Sequence, residues 1–300
     1  MAQVLKGVLA PVITPFDADL RPNAEAWIAH CRWLLSQDCG LAVFGTTSEG
    51  NSISTPEKCA LLEAAAESGL ETARMMPGVG ACSIPETVEL TKAAIEIGAS
   101  GVLMLPPFYY KAATEDGLFA FFSEVIERVG DERLKIYLYH IPQVSGVPIS
   151  LALAERLLKA YPITIAGAKD SSGDWPNTKA MIDMGDNFDV FAGSEIFLLE
   201  TMRAGGVGCI GATTNITPAA IYDVYANWRA EDADDRQARI TAFRKALDVF
   251  PMIPMLKAAI GLFNNDSDWF RVRPPLVALS EADQNLLRAT LRRYEIWTPE

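Results

Sequence analysis

Apolar residues along the chain gather into short runs, roughly 20–35 residues apart, each closed by a turn-forming residue. The runs are GVLAPVITPF (7–16), LAVFG (41–45), RMMPGVG (74–80), GVLMLPPF (101–108), KIYLYHIP (135–142), ITIAGAKD (163–170), DVFAGS (189–194) and GVGCIGATT (206–214). Near-continuous hydrophobicity in short runs reads as buried strand. Between them the period changes. In DGLFAFFSEVIERVG, Leu118, Phe121, Phe122, Val125, Ile126 and Val129 recur at helical spacing. NAEAWIAHCRWLLSQ and SLALAERLLKAY repeat that pattern more loosely.

Strands alternating with helices predict an α/β fold, a (β/α)8 TIM barrel over residues 1–225. The competing arrangement is an open doubly wound sheet, but no glycine-rich dinucleotide loop follows the first run. Residues 226–300 are helical in pattern and hold no strand-like run, so they read as a helical extension packed on the barrel. Within them RAEDADDRQAR reads as a solvated helix start. No linker or low-complexity segment is apparent.

Composition narrows the partners. The chain has 300 residues, 50% hydrophobic and 21% charged, as expected of a soluble protein with a sizeable core. A net charge of −12 argues against nucleic acid and anionic membrane as partners. Five scattered cysteines, Cys31, Cys39, Cys59, Cys82 and Cys209, form no CxxC pair. They read as reduced thiols in a cytoplasmic protein. With only His30 and His140 available, no metal site of His/Cys type is expected. MAQVLKGVLAPVITPF lacks the pattern of a signal peptide, and no apolar run is long enough for a membrane span.

In a barrel of this type the chemistry sits at the C-terminal ends of the strands. The second run ends in FGTTSEG, where Thr46 and Thr47 either present hydroxyls and N–H groups to an anion or form a plain loop with a helix cap. In YLYHIP, Tyr137 and Tyr139 share a face by alternation. Tyr139 is either a proton carrier at the rim or a core aromatic. His140 reads as a strand-end histidine or an acid–base group. In ITIAGAKD, alternation places Ile163, Ile165, Gly167 and Lys169 on one face. Lys169 is then a desolvated amine able to attack a carbonyl carbon, or a lysine reaching into a surface loop.

GTTSEG, YHIP and GAKDSSGD, in this order and on these units, resemble the dihydrodipicolinate synthase/N-acetylneuraminate lyase family of Schiff-base-forming pyruvate aldolases. PVITPFDADL and PPFYYKAATEDGL extend the resemblance over essentially the whole chain. The resemblance implies that Lys169 forms an imine with pyruvate or another 2-oxo acid, and that Tyr139 shuttles the proton with Thr46 as its relay. It implies that Thr47 grips the carboxylate. Tyr110 resembles a tyrosine inserted by a neighbouring subunit, which implies a homotetramer built as a dimer of dimers. Ser171, Gly193 and Ile210 match positions that line the pocket. No metal and no cofactor beyond the covalent imine are expected.

Departures from the family pattern bear on the substrate. Ser48 stands where a glycine is usual, and His140 where an asparagine is usual. True dihydrodipicolinate synthases carry an arginine for the aspartate-semialdehyde carboxylate where this chain has Val144. Losing such a bidentate contact removes on the order of 1.5–3 kcal/mol. The polar pair that holds the tail of a sialate is only partly present, as Ser194 and Glu195. The expected activity is therefore cleavage or dehydration of a 2-oxo-3-deoxy sugar acid or related hydroxy-oxo acid. The alternatives are the synthase itself and a non-catalytic barrel that binds pyruvate or a sugar acid.

Overall fold

Gly7–Ala10 (β1), Gly40–Leu41 (β2), Val102–Met104 (β3), Ile136–His140 (β4), Ile165–Asp170 (β5), Asp189–Ala192 (β6) and Gly208–Ile210 (β7) form one parallel sheet in the order β2-β1-β7-β6-β5-β4-β3. The structure, a computed structural model, describes residues 5–294. The ring between β2 and β3 is closed by the RMMPGVG run. Met75 bridges Leu41 and Gly78 bridges Leu103, both in parallel. Met76 N donates to Leu41 O at 2.8 Å, and Leu103 N to Pro77 O at 2.8 Å. The eight sequence runs thus make one closed (β/α)8 barrel. Each strand is shorter than its run because the apolar pattern continues into the loops.

A helix follows each barrel segment: Ala24–Ser36, Thr55–Glu67, Ile84–Glu96, Glu115–Val129, Leu151–Ala160, Trp175–Ile182, Leu198–Ala204 and Pro218–Ala226. Several starts are fixed by side-chain caps. Asn23 accepts from Ala26 N at 3.1 Å, and Ser150 from Leu153 N at 3.0 Å, as short polar side chains do at helix N-termini. After the barrel come helices Ala233–Ala246, Met252–Asn264 and Glu281–Arg293. Phe243, Met255, Leu256, Leu287 and Leu291 of these helices, with Leu247 just after the first, share a buried cluster with Ile13 and Ile216 of the barrel loops.

The lumen is filled by a separate cluster that takes Leu9, Ala42, Met76, Leu103, Tyr137, Tyr139, Phe191 and Ile210 from successive segments. Ile136, Leu138, Ile165 and Ala168 face the outer helices instead. This corrects one expectation. Strict alternation from Ile163 to Lys169 fails, because Ile163 lies outside β5 and is 72% exposed, and Ile165 points outward. The cause is a register shift: Ile136 pairs with Ile165, but Tyr137 pairs with Gly167. Ala166 is an extra residue, a bulge that resets the faces and returns Lys169 to the lumen side. Gly167 is required there, since a Cβ would fall 1.8 Å from Asp189 O.

His30 is an internal strut. Asn215 donates through Nδ2 to Pro11 O and Ala212 O, both at 3.0 Å. Its Oδ1 therefore accepts, from Ile13 N at 3.1 Å and from His30 Nε2 at 3.2 Å. His30 lies between Trp33 and Trp269, with ring centroids 5.6 and 5.5 Å away. Burial pushes the imidazole down to about 4, although the Asn215 hydrogen bond opposes the shift. The folded state then holds His30 neutral where the unfolded chain protonates it. The unfolded state binds the extra proton between pH 6.5 and about 4, so stability falls as pH falls through that window. At pH 4 the loss reaches about 3 kcal/mol. Denaturant unfolding of wild type and His30→Gln at pH 7 and pH 4 checks this. The wild type is expected to lose about 3 kcal/mol more than the variant, and parallel losses would contradict it.

Candidate active site

Lys169 is the penultimate residue of β5, and the register pairs it with Tyr139 of β4. Both are almost fully buried, at 4% and 3% exposed. Lys169 Nζ lies 3.3 Å from Tyr139 Oη and 4.5 Å from the centre of its ring. Tyr139 Oη lies 3.2 Å from Thr46 Oγ1, in the turn after β2. Amine, phenol and hydroxyl thus form one hydrogen-bonded line at the C-terminal mouth. Such a line can carry a proton between the nitrogen end and the open end. Below it, Tyr137 packs edge-on to Phe191 at 5.7 Å, and burial raises its phenol well above the usual range. Tyr137 therefore stays a neutral packing residue.

The turn holding the threonines is tightly wound. Glu49 N donates to Thr46 O at 3.1 Å, and Gly50 N to Gly45 O at 3.0 Å. A Cβ on Gly50 would fall 2.0 Å from Phe44 O, so only glycine closes this loop. Thr14 Oγ1 donates to Ser48 O at 2.9 Å and ties the turn to the segment after β1. Thr46 and Thr47 are half-buried while Ser48, Glu49 and Gly50 are buried, so the two threonines form the accessible part of the turn.

The loops after β4, β5 and β6 are stitched together beside the lysine. Ser171 N donates to His140 O at 2.8 Å, Gln143 Nε2 to Ser171 O at 2.6 Å, and Gly193 N to Asp170 O at 2.6 Å. A Cβ on Gly193 would meet Ser171 Oγ at 2.0 Å, which explains glycine at that position. Ile210 joins the lumen cluster. Asp170 faces the other way and accepts from Ser172 N, Asn177 Nδ2 and Thr178 Oγ1 at 2.7–2.9 Å. His140 faces outward with it. Its Nδ1 accepts from Ile149 N at 3.0 Å, and burial lowers the imidazole below its ordinary value against the pull of Asp170. His140 is thus a neutral brace for the 141–149 loop.

Four further candidates make no bond to this line. Val144, in the short helix Pro142–Ser145, is 57% exposed. Tyr110 is 75% exposed and stands edge-on to Tyr109. Ser194 caps a short turn through Ile196 N at 3.3 Å. The Glu195 carboxylate is fully buried between the loops after β6 and β7, bonded to the Thr213 hydroxyl and 3.7 Å from Arg244 Nε. Its Oε1 is committed to those partners, and it stands outside the Lys169 line. Sequence reasoning missed Lys257, which reaches the threonine turn through Glu49. The available signal was one charge inside the apolar helix MIPMLKAAIGLFN, where lysine is rarely buried unless paired.

A closed parallel barrel with a buried lysine, tyrosine and threonine in one line at its mouth has the parts of an imine-forming lyase. Comparison with known proteins gives the family: the chain belongs to the dihydrodipicolinate synthetase family, whose model matches residues 4–294. It is 32% identical to an uncharacterized DapA-like lyase of Chloroflexus aurantiacus, over 96% of each chain. Among solved structures, a dihydrodipicolinate synthase from Agrobacterium tumefaciens is 33% identical with a TM-score of 0.88, covering 96% of this chain and 99% of the other. YagE, an E. coli K12 prophage protein of the same family solved with pyruvate, is 25% identical with a TM-score of 0.89, covering 98% and 100%. Members of the family are class I lyases that form a Schiff base with pyruvate, and this chain is an enzyme of that class. Among the described residues, no helix is long and apolar enough to cross a membrane.

Proposed function

We propose that the protein cleaves a 2-oxo-3-deoxy sugar acid, or a related hydroxy-oxo acid, to pyruvate and an aldehyde, or dehydrates it, through an imine on Lys169. The observation that carries this reading is the buried line from Lys169 through Tyr139 to Thr46. In the cleavage direction the Lys169 amine adds to C2, and Tyr139 gives its proton as water leaves, so that a protonated imine and a Tyr139 phenolate result. Tyr139, as phenolate, takes the proton of the C4 hydroxyl, and the C4–O bond becomes a carbonyl. The C3–C4 electron pair moves into the enamine, with the iminium nitrogen as electron sink. C3 then takes a proton back through Tyr139, with Thr46 passing it along. Water hydrolyses the protonated imine and the proton set free returns to the Tyr139 phenolate, so the water and proton released at the start are recovered at the end. Thr47 holds the substrate carboxylate, with Ser171, Gly193 and Ile210 shaping the space around C3.

Val144 supports the sugar-acid side. A valine at this position, exposed and without a charge, offers no partner to a second carboxylate. The similarity to the Agrobacterium synthase supports a second reading, condensation of pyruvate with aspartate semialdehyde. A homotetramer is part of the proposal. Tyr110, 75% exposed, borders an apolar groove that includes Pro107, Leu118 and Phe121, and Tyr109, 73% exposed, stands edge-on beside it. Exposed aromatics beside such a groove suit contact with a second copy. A cytoplasmic location is in keeping with the unpaired cysteines and the acidic balance.

A substrate panel separates the two readings. Pyruvate release from 2-oxo-3-deoxy sugar acids is measured against condensation of pyruvate with aspartate semialdehyde. The expected kcat/KM for the best sugar acid exceeds that for condensation by about 10- to 100-fold, the value of the missing carboxylate contact. A preference for aspartate semialdehyde would establish the synthase reading instead.

A further inference from the structure

Lys257 is a charge in an apolar setting. It stands in the middle of Met252–Asn264, and its side chain is 0% exposed. Nζ donates to Glu49 Oε1 at 2.5 Å, and Glu49 is itself 1% exposed along its side chain. Glu49 Oε2 accepts the backbone N–H of Arg273 at 2.9 Å. Phe16 covers the group, its ring centre 4.1 Å from Lys257 Nζ and 4.7 Å from the Arg273 guanidinium. Arg273 in turn donates through Nε to Leu20 O at 2.8 Å and pairs with Glu57 at 2.5 Å. Burial pushes the Lys257 ammonium down to about 8, with Arg273 adding to the shift and Glu49 opposing it. The terminal helices, the segment after β1 and the turn after β2 thus meet at one buried ion pair.

A buried ion pair is a poor source of stability, because desolvating both charges offsets most of their attraction. Fixing one conformation is the role it fills better, and the conformation at stake here is the threonine turn. Phe44 and Glu49 flank Thr46 and Thr47 with φ of 61° and 56°, a left-handed geometry that side-chain-bearing residues avoid. Glu49 is both the left-handed residue and the residue that the ammonium grips.

We infer that Lys257 and Glu49 are positioning residues for the pyruvate-binding turn, holding Thr46 against Tyr139 and Thr47 at the substrate carboxylate from beneath. The inference rests on the imine reading for the roles of the threonines, and on its own geometry for the rest. Without Lys257, Glu49 keeps one backbone N–H in a buried place and is driven towards water. The turn then relaxes from its left-handed ends, and both threonines leave their positions. Lys169 itself is untouched, so the loss falls on capture of pyruvate rather than on the capacity to form the adduct.

The test titrates pyruvate against full-length wild type, Lys257→Met, Glu49→Gln and the double variant in cyanoborohydride. The trapped fraction is read by intact mass, with thermal melting recorded alongside. Lys257→Met is expected to raise the pyruvate concentration for half-maximal trapping at least 10-fold with the same maximal extent. The double variant, which buries no lone charge, is expected to recover part of the shift. A shift below threefold in folded Lys257→Met, whatever its melting temperature, would overturn the inference. If that variant does not fold, Glu49→Gln is judged by the same thresholds. No adduct in wild type at saturating pyruvate would overturn the imine reading itself, whereas a normal wild-type curve with an unshifted variant overturns this inference alone.

Discussion

Lys169→Ala is expected to abolish turnover, lowering kcat by about 10⁴-fold or more, the scale seen when an enzyme loses its covalent nucleophile. No neighbouring group can take over. Tyr139, the side chain bonded to Nζ, offers an oxygen that cannot form an imine. The fold is expected to persist, because the deletion removes a buried amine rather than a packed apolar group. A melting temperature near that of wild type, with turnover absent, is the predicted pair of results. Residual turnover within tenfold of wild type would show that the amine does no covalent chemistry.

The second large effect is expected at Tyr139. Tyr139→Phe keeps the ring in the lumen cluster and removes only the oxygen that joins Lys169 to Thr46. A positioned proton carrier contributes roughly 10²–10⁴-fold, so kcat should fall by that factor. Imine formation with pyruvate should survive at a slower rate, since the nucleophile remains. Pre-steady-state trapping beside steady-state turnover separates the two. A variant that turns over normally would reduce Tyr139 to a core aromatic.

Much of this architecture could be read from the chain because barrel strands are buried on both faces and therefore appear as short apolar runs. RMMPGVG was readable as a strand although only Met75 and Gly78 form bridges, because its apolar character does not depend on ladder length. Helix starts at Asn23 and Ser150 carry their capping side chains locally. Tyr137 and Tyr139 obeyed simple alternation. Ile163 and Ile165 did not, because the extra residue Ala166 is a property of pairing with β4 and is invisible along one strand.

The site divides in the same way. Lys169 and Tyr139 lie at the ends of their strands, where position along the chain predicts position in space. Glu195 looked available for substrate because its partners, Thr213 and Arg244, are distant in sequence. The pairing of Glu49 with Lys257 spans 208 residues. No local pattern reveals it, beyond one lysine in an apolar helix.

Every role proposed at the site depends on Lys169 being the amine that forms the imine. Borohydride reduction in the presence of pyruvate, followed by peptide mass spectrometry, tests it most directly. One adduct is expected, on the tryptic peptide spanning residues 160–179 with cleavage blocked at Lys169, and none in Lys169→Ala. An unmodified chain at saturating pyruvate, or an adduct on another lysine that persists in Lys169→Ala, would contradict it.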